Sequence, residues 1–382
     1  MADATTADAG VDASNSDAGT PVDDLAARAD AIASPAFTPN PMDLTQCVGG
    51  AAVIITPDET FLGGWGATEL GGSTAPGADT LFQIGSVTKV FTGLAAARLV
   101  DEGTITLDTT PGAMLAADLR DAVPAWPTLR ALLTHHAGLP AFPANLVDRD
   151  GDGMRDPGLD PRSPAAGYGR GDLRASLAGF VAPPEAPYSY SNVGIGLAGL
   201  ALQDQLALTN YDATLRRLVT DDLAMRDTWG EVAAIPAEAR ARLATGHTVR
   251  GAERVPGILG QMGVLASAGE IVTTPADMAR FLRAVVGLDA TPLTGAISRA
   301  TTSLASAPPG STMGYAVEIE TSDGITLYRK GGNTSSYGAY VMWSTEPAVG
   351  VAVLTNCGGF MRVIEVAEAL HAAARTADTT AP

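Results

Sequence analysis

Apolar and polar positions along the chain change period several times, and those changes outline its organisation. Gly49–Ile55 is a short, continuous apolar run rich in β-branched residues and closed by Thr56-Pro57-Asp58, the pattern of a buried strand. Phe61–Thr68 comes next as its hairpin partner, and residues 70–79 are rich in turn formers. From Ser86 to Glu102 the apolar positions Val90, Leu94, Ala97 and Val100 recur at helical spacing, and Gly103 ends the helix. Helical spacing returns at Val22–Ala33, Leu129–Leu133, Asp172–Phe180, Gly194–Gln205, Tyr211–Leu218, Pro275–Val286 and Met361–Arg375. Strand patterns return at Gly314–Ile319, Ile325–Tyr328, Gly338–Trp343 and Gly350–Leu354.

Strands at both ends with helices between them predict one α/β layer built from residues 41–110 and 245–376. A mainly helical lobe, 111–244, is inserted into it, and a cleft between the two is the natural place for a ligand. Residues 1–40 read as a disordered acidic tether. Residues 1–44 hold eight Asp and one Arg, and Ala2–Pro21 is almost entirely small and polar, too poor in apolar surface to order itself. Residues 377–382 form a short tail. No apolar run is long enough to span a bilayer. Such a tether typically succeeds a trimmed export signal, and it points to a secreted, periplasmic or cell-envelope protein.

Composition narrows the function. The net charge of -18 excludes polyanionic partners such as nucleic acid. The substrate is a small molecule or peptide, and nothing in the sequence sets an oligomeric state. Of the 24 basic residues only two, Lys89 and Lys330, are lysine. Arginine never gives up its proton in a protein, whereas a lysine with a lowered pKa does. So small a number draws attention to each lysine: Lys89 as a base, and Lys330 as a positive charge that would lower the Lys89 pKa and attract anions.

Lys89 lies in Ser86-Val87-Thr88-Lys89, where both side chains share a helix face one turn apart at the positive end of the helix. A serine hydroxyl becomes a nucleophile when a neighbour takes its proton, and a lysine serves once burial or another cation lowers its pKa. Alone, Ser-x-x-Lys is a weak signal. Tyr188-Ser189-Tyr190-Ser191-Asn192 adds a phenol and an amide ahead of a helix, and Lys330-Gly331-Gly332-Asn333 adds a cation beside glycines that admit a ligand to the backbone.

Taken in order, Ser-x-x-Lys, Tyr-x-Asn and Lys-x-Gly resemble the three-part signature of serine β-lactamases and penicillin-binding proteins. The Tyr-x-Asn form is similar to that of class C β-lactamases, D-alanyl-D-alanine carboxypeptidases and family VIII carboxylesterases. Leu132–Pro140, Asp222–Thr228, Ser267–Leu282 and Gly350–Asn356 resemble further segments of that family, so the likeness runs from about residue 45 to residue 375. It implies a β-lactamase/transpeptidase-like α/β fold, with an antiparallel sheet flanked by helices, and an acyl-enzyme on Ser86. Lys89 and Tyr190 share the acid/base work, and either is the base. Asn192 orients Lys89 or a substrate carbonyl. The Ser86 and Asn333 amides form the oxyanion hole beside Gly332, and no cofactor is needed for catalysis.

Gly331 departs from the family, which usually has a hydroxyl there that helps hold a substrate carboxylate. This favours a carboxylesterase-like activity over a D-alanyl-D-alanine carboxypeptidase, a D-amino-acid peptidase or a β-lactamase. Lys330 still attracts anions, and Thr334, Ser335 or Ser336 supply alternative hydroxyls. A non-catalytic penicillin-recognising sensor is the reading from a different class. His135 and His136 invite a Ser/His triad, but the Lys/Tyr pair already fills that role.

Two smaller expectations complete the sequence reading. Asp148, Asp150, Asp152 and Asp156 stand at positions 1, 3, 5 and 9 of a loop with Gly153 at position 6, as in the first half of an EF-hand, and this predicts a structural Ca2+ site. Cys47 precedes the first core strand and Cys357 comes after the last. In the family fold these strands are neighbours, which implies a disulfide and an oxidising compartment.

Overall fold

The computed structural model describes residues 25–38, 40, 42–307, 310–359 and 361–377. Its centre is an eight-stranded antiparallel sheet made from β1 (Gly49–Ile55), β2 (Thr60–Gly66), β3 (Ala305–Ala307), β4 (Ser311–Met313), β5 (Glu318–Ser322), β6 (Ile325–Asn333), β7 (Gly338–Thr345) and β8 (Ala348–Thr355), in the order β2-β1-β8-β7-β6-β5-β4-β3. Chain ends meet at β1–β8, where Gly50 pairs with Thr355 and Ile55 with Gly350. The β-lactamase/transpeptidase-like architecture implied by the motifs is the one observed.

Both faces of the central strands are covered, which is why those strands read as continuous apolar runs instead of alternating ones. On β1, Ala51, Val53 and Ile55 join the core that contains α2 (Thr88–Asp101) and α4 (Pro275–Val285), while Ala52 and Ile54 join the core under α1 (Leu25–Ala33) and α5 (Arg362–Ala377). The strand period of two thus assigns alternate residues to two separate cores. Helix α2 is buried nearly all round, with α3 (Asn192–Gln205) packed against it. Between 111 and 240 the chain consists of short helices and loops apart from one isolated bridge at Trp229, and α3 is its longest element. Among the described residues no helix is long and apolar enough to cross a membrane.

Several sequence expectations are corrected. The tether reading does not hold for residues 25–38: α1 packs on α5, with Leu25, Ala29 and Ala33 buried. Residues 1–24, and 378–382 of the tail, lie outside the described residues. The apolar run Gly314–Val317 is a turn, with Ala316 at φ +60° and its N–H donated to the Leu133 carbonyl; the strand begins only at Glu318. Hydrophobicity there records burial against α2 and α4, not strand periodicity. Strand β6 also continues past Tyr328 to Asn333, so the Lys330 motif is sheet throughout.

Cys47 and Cys357 are joined in a disulfide with Cα atoms 5.7 Å apart. It ties the entry to β1 to the exit from β8 across a sequence separation of 310 residues. Closing so long a loop removes conformational freedom from the unfolded chain.

Candidate active site

Gly85 at φ +50° turns the chain into a short 3-10 turn, Gly85–Val87, that leads into α2. Ser86 sits on that turn, and Lys89 one turn further on. The end of β6 lies directly against it. A Cβ built on Gly332 would stand 1.9 Å from the Ile84 carbonyl oxygen and 3.0 Å from the Ser86 nitrogen, so only glycine lets the two backbones meet. The face of β6 turned toward α2 carries Tyr328, Lys330 and Gly332, set by the pairing of Lys330 with Val341 and Gly332 with Ala339. A third element arrives from the lobe: the Ser191 hydroxyl accepts the Gly194 N–H at 2.8 Å and caps α3, leaving Tyr190 just outside the helix and Asn192 in its first turn.

These three elements converge on one hydroxyl. Lys89 Nζ lies 2.9 Å from Ser86 Oγ, and Tyr190 donates its phenolic hydrogen to the same oxygen at 2.6 Å. Lys89 Nζ also lies 2.7 Å from Asn192 Oδ1 and 2.5 Å from the Ala268 carbonyl oxygen. A neutral amine has two N–H donors and one lone pair. The two donors match the two carbonyl-type oxygens, and the lone pair is left for the Ser86 hydroxyl hydrogen.

Electrostatics agree with that count. Lys89 is 0% exposed, and burial, followed by the charge of Lys330, holds its pKa well below the ordinary lysine value. Burial pushes the Tyr190 phenol up to about 12, and Glu318 adds to the rise against the Ser86 hydrogen bond. A phenol in that range is a proton donor at neutral pH, not a phenolate. Lys89 and Lys330 Nζ each stand 5.0 Å from the centre of the Tyr190 ring.

Ser86 lies between two cavities. The larger, about 570 Å³, includes Tyr190, Glu318, Lys330, Asn333 and Glu368 in its wall. The smaller, about 270 Å³, lies toward the helical lobe and is lined among others by Asn192, Met262, Thr334 and Ser335. Asn333 turns its side chain away, its Oδ1 accepting the Gly359 N–H at 2.9 Å.

A scan of known families matches residues 36–375 to the Beta-lactamase family model. The chain belongs to the beta-lactamase family. Among curated relatives, the D-alanyl-D-alanine-carboxypeptidase/endopeptidase AmpH of Escherichia coli (strain K12) is 26% identical over 250 residues, covering 63% of this chain and 58% of that protein. The alignment thus spans under two thirds of the relative's length. Similar solved folds include the octameric penicillin-binding protein homologue from Pyrococcus abyssi, with TM-score 0.73, 22% identity, and coverage of 94% of this chain and 77% of that one. A class C beta lactamase from Rhodobacter sphaeroides gives TM-score 0.71 and 19% identity, over 94% of this chain and 99% of that one. These relatives support a serine hydrolase.

Within this beta-lactamase family chain, Ser86, Lys89, Tyr190, Asn192, Lys330, Gly332 and Asn333 lie around one cleft. His135 does not join a triad. Its Nδ1 accepts the Ser191 N–H at 3.2 Å, its carbonyl accepts the Ser189 N–H at 2.8 Å, and its ring centre lies 4.7 Å from that of Tyr190. Burial, with Lys330 and Lys89 nearby, lowers its pKa to about 3. It is a neutral brace for the Tyr190 segment. Of the substitute hydroxyls, Ser336 Oγ accepts the Ile258 N–H, Thr334 Oγ1 accepts the Ser336 and Tyr337 N–H groups, and Thr334 and Ser335 line the smaller cavity.

Sequence reasoning missed two members. The Ala268 carbonyl has no residue-type signature, since any residue supplies one. Glu318, 3.1 Å from Lys330, is exposed only by strand pairing that no local pattern reveals.

In the 148–156 loop, Asp148, Asp150 and Asp156 bring carboxylate oxygens within 4.8 Å of one another. Asp152 is not part of that group, and its Oδ1 accepts the Met154 N–H.

Proposed function

We propose that this protein is a serine hydrolase that forms an acyl-enzyme on Ser86 and prefers carboxylic esters. The observation that carries the reading is the convergence of Lys89 Nζ and Tyr190 OH on Ser86 Oγ. Neutral Lys89 takes the Ser86 proton as Oγ attacks the carbonyl carbon. The Ser86 and Asn333 amides hold the developing oxyanion, with Gly332 keeping them close. Tyr190 gives its phenolic proton to the leaving group and is reprotonated by Lys89, which, neutral again, takes a proton from the water that attacks the acyl carbon and passes it back to Ser86 Oγ as the acid leaves. Asn192 and the Ala268 carbonyl keep the lysine aimed. All the proton carriers are side chains of the chain, so the scheme needs no cofactor.

Gly331 supports the ester preference, because it offers no hydroxyl to a substrate carboxylate. A second reading, D-alanyl-D-alanine carboxypeptidase or β-lactamase, is supported for the first by the likeness to the Escherichia coli relative and for the second by the family match. The disulfide supports a secreted, periplasmic or envelope location. Incubation with a p-nitrophenyl ester, a fluorescent penicillin and a fluorophosphonate, followed by mass mapping, separates the readings. Rapid ester turnover with a phosphonyl adduct on Ser86 is the expected result. A lasting penicillin adduct turns the assignment to a carboxypeptidase-like or sensor protein, rapid penicillin hydrolysis to a β-lactamase. Absence of any adduct sinks the enzyme reading.

A structural Ca2+ in the 148–156 loop is a separate proposal supported by its spacing and three clustered carboxylates. Calorimetry with no binding heat at millimolar Ca2+ ends it.

A further inference from the structure

Lys330 does not face the cleft as a free cation. It is 4% exposed, and its Nζ meets Glu318 Oε1 at 3.1 Å. Glu318 opens β5 opposite Arg329 of β6, and its other carboxylate oxygen lies 3.9 Å from the Arg329 guanidinium. Arg329 is itself bonded to Glu320. The Glu318 side chain remains 31% exposed and lines the larger cavity beside Ser86 and Tyr190, as does Glu368. On this side of the nucleophile, Arg329 and Lys330 are therefore paired with Glu318 and Glu320, and a third carboxylate, Glu368, lines the same cavity. Gly331, which follows Lys330, carries no hydroxyl, and the nearby Thr334 and Ser336 hydroxyl oxygens accept backbone N–H groups.

From this arrangement we infer that Glu318 is a specificity-determining residue that makes the cleft select uncharged acyl groups. The inference rests on the acyl-enzyme reading above and names its substrate class. A substrate carboxylate beside the scissile carbonyl finds its natural counter-ion, Lys330, already paired. To bind, it must either displace Glu318 from a largely buried partner or sit next to another negative charge in a confined cavity. Both routes cost free energy, and the cost falls only on the anionic substrate, which makes it discrimination and not general weakening. A neutral acyl group leaves the pair intact.

Acylation rates with p-nitrophenyl butyrate and p-nitrophenyl hemisuccinate, near-matched in length, test this in the full chain. The wild type is expected to react about tenfold faster with the butyrate, and Glu318→Gln to shrink that ratio about fivefold or more by speeding the hemisuccinate, a rim-charge effect of ordinary size. Glu318→Asp, which keeps the charge, is expected to retain the wild-type ratio. A Glu318→Gln ratio within about twofold of wild type overturns the inference, as does a wild type that prefers the hemisuccinate. Should Glu318→Gln fail to fold, the wild type alone decides, through competition between phenylboronic acid and m-carboxyphenylboronic acid for Ser86. Weaker binding of the carboxylated compound is the expected outcome, and equal or tighter binding overturns the inference. If neither ester acylates Ser86 while the boronic acids keep that preference, the esterase reading falls and the charge selection stands.

Discussion

Ser86→Ala is expected to abolish labelling by a fluorophosphonate and to lower kcat for ester hydrolysis by about five to six orders of magnitude, the loss seen when a nucleophile is removed from an acyl-transfer site. The size comes from the arrangement around Oγ. Lys89 and Tyr190 both point at that oxygen, and neither has another reacting atom to serve. Without it, only the proposed oxyanion amides and general binding remain, worth a residual ~10³-fold over water. Stability is expected to change little. Lys89 keeps Asn192 and the Ala268 carbonyl, and the exchange deletes one oxygen at a partly exposed position. The measurement is intact mass after probe treatment, alongside steady-state ester kinetics and a thermal melt. An unchanged adduct in the variant would move the nucleophile elsewhere and defeat the mechanism.

The second large effect is expected at Lys89. Lys89→Met is similar in bulk but has no base, and acylation is expected to fall by about 10³–10⁴, at the upper end for a general base. Its signature is in the pH profile. The amine acts only as the free base, so activity is present above its pKa and is lost as pH falls through it. Burial and Lys330 depress that pKa, which places the acid limb well below the ordinary lysine range. The Tyr190 phenol, pushed up to about 12, keeps its proton until far above neutrality, so wild-type activity is expected to rise to a plateau that extends through mildly alkaline pH. In Lys89→Met the residual activity is expected to lose that acid limb. Single-turnover acylation measured across pH checks both features. A variant within tenfold of wild type, or one with the same acid limb, assigns the base to another group.

Lysine scarcity drew attention to both cations, and Lys330 illustrates how far that reaches. Its place in a Lys-x-Gly motif was readable, but its partner was not. Glu318 falls within a run, Gly314–Ile319, that reads as a strand yet turns sharply over its first four residues, with Ala316 at φ +60°. Strand register, not residue spacing, brings Glu318 to Lys330, and it changes an expected anion anchor into a neutralised pair.

Local interactions explain what the sequence by itself determined. Ser86 and Lys89 are one turn apart, Ser191 caps the helix that begins at Asn192, and Gly49–Ile55 and Gly338–Trp343 are apolar because both of their faces are covered. Such features depend on neighbours within a few residues or on burial, and burial leaves its mark in composition. Only the tertiary structure decided which groups share the Ser86 hydroxyl, why the Lys89 pKa is depressed, that residues 25–33 belong to the core and that His135 braces instead of reacting. Those properties come from contacts between segments 56 to 345 residues apart, such as His135 with Ser191, Lys89 with Asn192 and α1 with α5. Desolvation and long-range pairing set them, and neither has a period along the chain.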